Sequence, residues 1–305
     1  MTSFTIVPDT YFDLRAAASF GFGPHTGRPV PDGAELRMAF VADDLQRQVA
    51  VRLTQDPDGA LRATANGDVP AAQVEAQVRR ILSLDHDGPG WLAVGQRDPV
   101  LGDLQVRFAG LRPVLFHSPY EAAAWGILAQ RRHRAQAAAL RRRLAEAHGT
   151  TFTLDGSNGG EPLAAFPTPA QLLKVREFGG LDPVRISRLH AIATAALDGQ
   201  LDPARLASLE PDAALTEIQK LPGLGPTYSG LVLLRAVGIT DVLTRAEPRL
   251  PYYAAHYYGS DHNPLTGSEL AALAETWRPY RTWAAVLIRV AGDRDGLPVG
   301  DRVRA

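Results

Sequence analysis

No cysteine occurs anywhere in the 305 residues. That absence excludes a disulfide framework, a thiolate zinc site, a cysteine-held iron–sulfur cluster and thiol catalysis. Long apolar runs are missing as well. No stretch approaches the ~18 uninterrupted apolar residues of a transmembrane helix, and the opening, MTSFTIVPDTYFDL, has no basic stretch followed by the apolar run of a secretory signal. A soluble, cytoplasmic protein is the default expectation, with no membrane partner. Neither sign of charge is in excess, since 32 Lys plus Arg stand against 33 Asp plus Glu, a formal net charge of −1. A near-neutral chain is not coated in basic surface, yet a localised basic stripe can still hold phosphates. The 45% hydrophobic and 21% charged fractions are those of an ordinary globular protein. The length suffices for two or three domains with sizeable cores.

The patterning changes near residue 112. Before it, alternating segments at Glu35–Val41, Gln48–Thr54 and Leu61–Asn66 read as strands, and Asp56-Pro57-Asp58-Gly59 reads as the hairpin turn between the last two. Ala71–Leu84, with Val74, Val78, Ile81 and Leu82 on one face, reads as a helix. The Pro/Gly-rich segment Gly21–Gly33 is expected to lie as a loop over the sheet. Residues 1–111 are thus an α+β domain. Residues 112–305 read as an all-α domain, with room for two helical subdomains around a cleft. Ser118-Pro119-Tyr120-Glu121 has the order of an N-cap, a first-turn Pro and a third-position acid. It precedes helices expected over Glu121–Arg132, Arg134–His148, Pro169–Phe178, Asp182–Leu197, Asp202–Leu206, Pro211–Lys220, Thr227–Val237, Gly267–Trp277 and Arg281–Ala291. Phe152–Glu161 reads as a loop, and the tail after Gly292 as loose.

Between Arg131 and Arg143 lie six arginines and one histidine, with no acid. They form either a solvated helix face or a basic stripe. The most informative stretch is LTEIQKLPGLGPTYSGL, residues 215–231. Leu215, Ile218 and Leu221 keep helical spacing, Pro222-Gly223-Leu224-Gly225 breaks it, and Tyr228, Leu231 and Val232 resume it. Two helices joined by so short a link must turn sharply. Gly223 and Gly225 supply backbone conformations that other residues adopt only at a cost, and leave room for another backbone. Leu224 would pack between the helices. The second helix would present first-turn N–H groups suited to a phosphate oxygen. A turn of this kind can also simply join two core helices, but the full LPGLGP pattern between amphipathic helices favours DNA.

This hairpin resembles that of the helix-hairpin-helix DNA glycosylases, and within them the alkylated-base enzymes of the 3-methyladenine DNA glycosylase II type. Three further landmarks carry the resemblance in order: Trp125-Gly-Ile-Leu-Ala-Gln130, Asp241-Val-Leu after the hairpin, and Trp277-Arg-Pro-Tyr-Arg-Thr-Trp283. The match covers about residues 112–292. It implies a TATA-binding-protein-like sheet in the first domain. It further implies a monomer acting on double-stranded DNA that carries a damaged base, extruded from the duplex before excision.

Removing a base from deoxyribose builds positive charge on the sugar, and one preorganised carboxylate there is worth about 3–4 kcal/mol. The family's aspartate stands six residues beyond its Asp–Val pair, and the same count from Asp241 reaches Glu247. Glu247 is either that carboxylate, one methylene longer, or a helix-start acid beside Pro248. Arg245 and Arg249 flank it and would pair with it or touch phosphate. Thr227 stands where strand-cleaving members carry a Schiff-base lysine, which implies a monofunctional enzyme. Thr227 also takes the station of the family's base-stacking tryptophan. This leaves Tyr228, Tyr280 and Trp283 as pocket candidates, Trp283 and Trp277 being equally plausible as core. Gln130 and Arg131 fall at the family's glutamine and wedge, with Arg132 and Arg134 beside them as DNA contacts. The resemblance further implies a structural Na⁺ or K⁺ on the carbonyls of Leu221 and Gly223. His256 and His262 lack metal-ligand spacing, and Tyr11, Phe12, Phe20 and Phe22 read as core or loop anchors. A binding protein on the same scaffold, with Glu247 inert, is the alternative.

Overall fold

The computed structural model describes residues 1–20, 23–24, 35–154, 161–243, 247–260 and 264–299. Most of the Gly21–Gly33 loop, the Asn158-Gly159-Gly160 turn, Arg245 and His262 lie outside the described residues. The chain forms two compact units, each assembled from separate stretches. The first comprises Met1–Pro8, Asp13–Asp85 and Val114–Gly238; the second comprises Asp9–Phe12, His86–Pro113 and Ile239–Ala305.

The first unit holds a four-stranded antiparallel sheet of β1 (Thr2–Ile6), β2 (Leu36–Val41), β3 (Gln48–Gln55) and β4 (Leu61–Asn66), in the order β1-β4-β3-β2. β2, β3 and β4 follow from their alternation. Leu61, Ala63 and Ala65 of β4 face inward while Arg62 is exposed. The Asp56–Gly59 turn closes the β3–β4 hairpin as expected: Gly59 adopts φ +91° and donates to the Asp56 carbonyl at 2.9 Å. β1 was not anticipated from the sequence. The helix Ala71–Ile81 buries Val74, Val78 and Ile81, ending at Leu82 rather than running on to Leu84.

Helices Pro119–Ala129, Arg134–His148, Pro183–Leu197, Pro203–Ala207, Pro211–Gln219 and Pro226–Val232 complete most of this unit, the last running into a π-helical turn at Leu233–Val237. Proline at the first turn and an aspartate or serine before it set several of these starts. Asp182 accepts from the Arg185 N–H at 2.8 Å, and Ser118 from the Glu121 N–H at 3.2 Å. Pro119–Ala129 is buried on nearly every face, the signature of a central helix.

Glu121 does not return a bond to its own cap. Its carboxylate turns inward and accepts from the Val41 N–H at 3.0 Å and from Arg141 Nη2 at 2.6 Å. It also lies 3.2 Å from His117 Nδ1. Burial pushes the Glu121 carboxyl up, but His117 and Arg141 outweigh it and bring it down to about 2. The sheet end is thereby tied to the central helix by a charge.

Residues after 112 are not wholly helical. β5 (Thr151–Phe152) pairs with β6 (Leu163–Ala164), because the apolar side chains Phe152, Leu154, Leu163 and Ala165 pack on Ala39 and Ala50 of the sheet. The expected Pro169–Phe178 helix stops at Leu172. His190 Nε2 lies 2.9 Å from the Val175 carbonyl, and Gly180, at φ +99°, turns the chain.

The second unit is helical: Gly88–Arg97, Pro99–Arg107, Leu250–Tyr257, Gly267–Ala274 with a 3₁₀ turn at Glu275–Trp277, and Arg281–Arg294. The first three were not expected. The last helix extends past Gly292, so the tail there is ordered through Arg294. Its core gathers Trp91, Trp277, Tyr280 and Trp283. No helix among the described residues is long and apolar enough to cross a membrane.

Candidate nucleic-acid interface and candidate carboxylate

In the first unit, helix Pro211–Gln219 leads into the predicted hairpin. Leu221 donates to the Ile218 carbonyl at 3.1 Å, and Leu224 donates back to the Leu221 carbonyl at 3.0 Å. Gly223 has φ +90°, a left-handed backbone that glycine adopts without the cost a Cβ would add. Leu221 and Leu224 are buried, as a staple between the two helices requires. Pro222, Gly225, Pro226 and Thr227 are exposed. The bend therefore presents its tip outward. Gly225 precedes helix Pro226–Val232 with no side chain capping its first turn.

The hairpin is seated on the central helix Pro119–Ala129. A Cβ on Gly126 would lie 3.0 Å from Leu224 and 3.2 Å from Tyr228, so a glycine there lets the two elements approach. Gln130, the residue after that helix, donates its Nε2 to the Gly223 carbonyl at 2.6 Å. Arg188 Nη1 donates to the same amide's Oε1 at 3.0 Å, and Arg185 Nη2 to the Gln130 backbone carbonyl at 3.2 Å. Gln130, expected as a DNA contact, thus holds the hairpin in shape. Arg131 follows it exposed and in left-handed backbone, φ +55°. Such a conformation in a non-glycine residue costs of order 1 kcal/mol or more and persists only where neighbours enforce it.

The arginine cluster does not act as one element. Arg132 is half-buried, bonded to the Leu128 carbonyl at 3.1 Å and to the Gly180 carbonyl. Arg141 serves Glu121 and lies over Phe166 at 5.4 Å. Arg143 lies over Phe178 at 5.4 Å and donates to the Gly179 carbonyl at 3.2 Å. Arg131 and Arg134 are exposed beside Gln130. Thr227 is exposed on the hairpin, while Tyr228 is half-buried against Gly126.

In the second unit, Glu247 is gripped by Arg249. Nε meets Oε1 at 2.8 Å and Nη2 meets Oε2 at 2.9 Å, and the Arg249 backbone N–H adds a third bond to Oε1 at 3.2 Å. Arg289 Nε stands 4.0 Å from Oε2. Burial raises the Glu247 carboxyl, but the Arg249 bonds and charge outweigh it and hold it below the usual carboxylate range. Arg249 also reaches Asp293 at 3.0 Å, and Asp293 accepts from the Tyr253 hydroxyl at 2.9 Å. Of the two roles open to Arg249, pairing with Glu247 is the one the structure displays. With two carboxylates on its guanidinium, it is not placed as a phosphate contact.

Tyr280 and Trp283 are buried in the same unit. Trp283 packs edge-on to Trp91 with ring centroids 5.6 Å apart and lies 5.4 Å from Tyr280, whose hydroxyl donates to the Asp87 carbonyl at 2.6 Å. Their faces are occupied by one another, so the core reading of Trp283 accounts for its burial and neither ring presents a stacking surface. Trp277 is fully buried. Among the described residues no three His, Asp or Glu side chains converge as metal ligands. Sequence reasoning missed Arg185 and Arg188. Their spacing of three on one helix was visible, but arginines on an exposed helix face are ordinarily solvated.

No protein-family model matches the chain. It is 22% identical over 220 residues to the DNA-3-methyladenine glycosylase of Bacillus subtilis (strain 168), covering 70% of each chain. In fold it is similar to the 3-methyladenine DNA-glycosylase of Archaeoglobus fulgidus, with a TM-score of 0.74 at 20% identity over 97% of this chain and 100% of that one. It is also similar to the Clostridium acetobutylicum 8-oxoguanine glycosylase/lyase solved with double-stranded DNA. There the TM-score is 0.62 at 14% identity, over 94% and 93% of the two chains. In sequence this chain is similar to a DNA-3-methyladenine glycosylase, and it shares its fold with solved 3-methyladenine and 8-oxoguanine DNA glycosylases.

Proposed function

We propose that this protein is a monofunctional DNA glycosylase that hydrolyses the N-glycosidic bond of a damaged, alkylated or deaminated base extruded from double-stranded DNA, a step of base excision repair. The observation that carries the reading is the hairpin's exposed tip, Pro222 and Gly225–Thr227, rigidified through Gln130. That exposure supports a phosphate-facing role over one in the core of the unit. The relatives' names supply the reaction class.

In that reaction the base departs with the electrons of its glycosidic bond, water adds its oxygen to the sugar carbon, and water's proton leaves. An anionic carboxylate facing the sugar stabilises the charge that builds there. Glu247 is kept anionic by Arg249 and supplies such a group. Helix Pro226–Val232 contains no lysine, which supports hydrolysis without a Schiff base.

The bidentate Arg249 clamp favours a second reading, a damage-binding protein in which the Glu247 charge is already spent. Duplexes carrying 3-methyladenine, hypoxanthine or ethenoadenine separate the two. Abasic sites formed by the wild type and abolished by Glu247→Gln support the enzyme. Tight binding without any abasic site supports the binding protein.

A further inference from the structure

The family resemblance brings with it a monovalent cation on the carbonyls of Leu221 and Gly223, and the residues at this hairpin do not suit one. The Leu221 carbonyl accepts from the Leu224 N–H at 3.0 Å, and the Gly223 carbonyl accepts from Gln130 Nε2 at 2.6 Å. Each has one lone pair already engaged. Arg188 stands against the same turn. A Cβ placed on Gly223 would lie 2.8 Å from Arg188 Cδ and 3.2 Å from its Nε. Its Nη1 is anchored on Gln130 Oε1 at 3.0 Å. Arg188 is half-buried and forms no ion pair with a carboxylate among the described residues. A free metal cation bound to the turn would share it with a guanidinium of like charge and without an intervening acid.

We infer that Arg188 takes the place of the cation: the hairpin carries its positive charge on a side chain, locked through Gln130, and offers it to a DNA backbone phosphate. The amide relays the arrangement. Arg188 fixes which way the Gln130 amide faces, since its N–H must meet the amide oxygen, and the amide nitrogen is thereby turned to Gly223. A guanidinium so held makes charge-assisted bonds to phosphate oxygens without paying much ordering entropy on binding. The inference rests on the DNA-binding reading for its ligand, but not for the question of the ion.

The test uses the whole protein and a duplex containing a tetrahydrofuran abasic analogue. Affinity and thermal unfolding are measured in NaCl, KCl and tetramethylammonium chloride at equal ionic strength. The expected result is one Kd and one Tm across the three salts. Arg188→Gln is expected to weaken binding about tenfold and to lower the slope of log affinity against log salt by about one, with Arg188→Lys restoring part of both. A wild-type Tm or affinity that falls in tetramethylammonium and recovers in Na⁺ or K⁺ overturns the inference. So does Arg188→Gln with unchanged affinity and slope. Should the protein bind no DNA at all, the glycosylase reading fails, while the Tm series still decides whether the hairpin needs an ion.

Discussion

Arg249 holds both oxygens of Glu247, two residues away along the chain. A carboxylate so paired stays charged to lower pH than a free one. Its folded value is depressed, so the stability it contributes is full above about pH 4.3, the unfolded value, and is lost as pH falls through the folded one. Excision that depends on this anion should likewise persist into acid. In Arg249→Met the raising effect of burial meets only the backbone N–H of residue 249 and Arg289, and the acid limb of the single-turnover pH–rate profile should move toward neutral. Glu247→Gln should lower the rate about 10²–10³-fold. An acid limb unmoved by Arg249→Met would detach Glu247 from the chemistry.

The two hairpin glycines should behave differently. At Gly223 an alanine meets Ile127 Cδ1 and Arg188 Cδ, both 2.8 Å from the new methyl, in a left-handed backbone. Gly223→Ala should cost roughly 2–3 kcal/mol of stability, seen as a lower urea midpoint, and weaken duplex binding with it. At Gly225 nothing lies within 4 Å and φ is −82°. Gly225→Ala should leave the midpoint unchanged, and any affinity it loses would report DNA backbone pressed against that position.

Glu121 is buried against His117 and Arg141, which bring its carboxyl down to about 2. Relative to about 4.3 unfolded, that shift corresponds to something on the order of 3 kcal/mol at neutral pH. Glu121→Gln should remove most of it and leave Arg141 uncompensated. Urea melts at pH 7 should show the full deficit. The gap between mutant and wild type should narrow as pH falls from about 5 toward 2, where the wild type also protonates; a gap independent of pH would contradict the ionic account.

Trp283→Ala should cost about 3–5 kcal/mol by emptying the space between Trp91 and Tyr280, while Trp283→Phe should keep most of the stability. Tm values check this directly. A Trp283→Phe protein with unchanged Tm but altered preference among damaged bases would return that ring to the pocket.

Much of this architecture could be read from residue order because local signals agreed with tertiary needs. Arg134–His148 is bounded as expected, its apolar positions Ala137, Leu140 and Leu144 lying on the buried side and Gly149 closing it. The hairpin was legible for the same reason, since Gly223 and Leu224 do locally what their types suggest. Helices Gly88–Arg97 and Pro99–Arg107 were hidden by glycine and proline, residues that punctuate turns. Asp87 and Asp98 nevertheless cap both, accepting from Gly90 and Leu101. Leu250–Tyr257 was masked by its tyrosines, two of whose hydroxyls serve Asp293 and Asp295 across the unit. In the candidate sites the residue types were visible but not their pairings. Arg188 joins Gln130 from 58 positions away, and neither spacing nor charge pattern encodes that.

The second unit is drawn from three widely separated stretches, and its tryptophan packing joins the middle one to the last. During synthesis, helix Gly88–Arg97 therefore emerges long before Tyr280 and Trp283, the partners of Trp91. Every strand and helix of the first unit precedes Ile239, while the Trp91 helix must wait with an apolar face uncovered. This half can close only once Tyr280 and Trp283 are made, so losing the helix Arg281–Arg294 would strand residues near position 91 as well as those it removes.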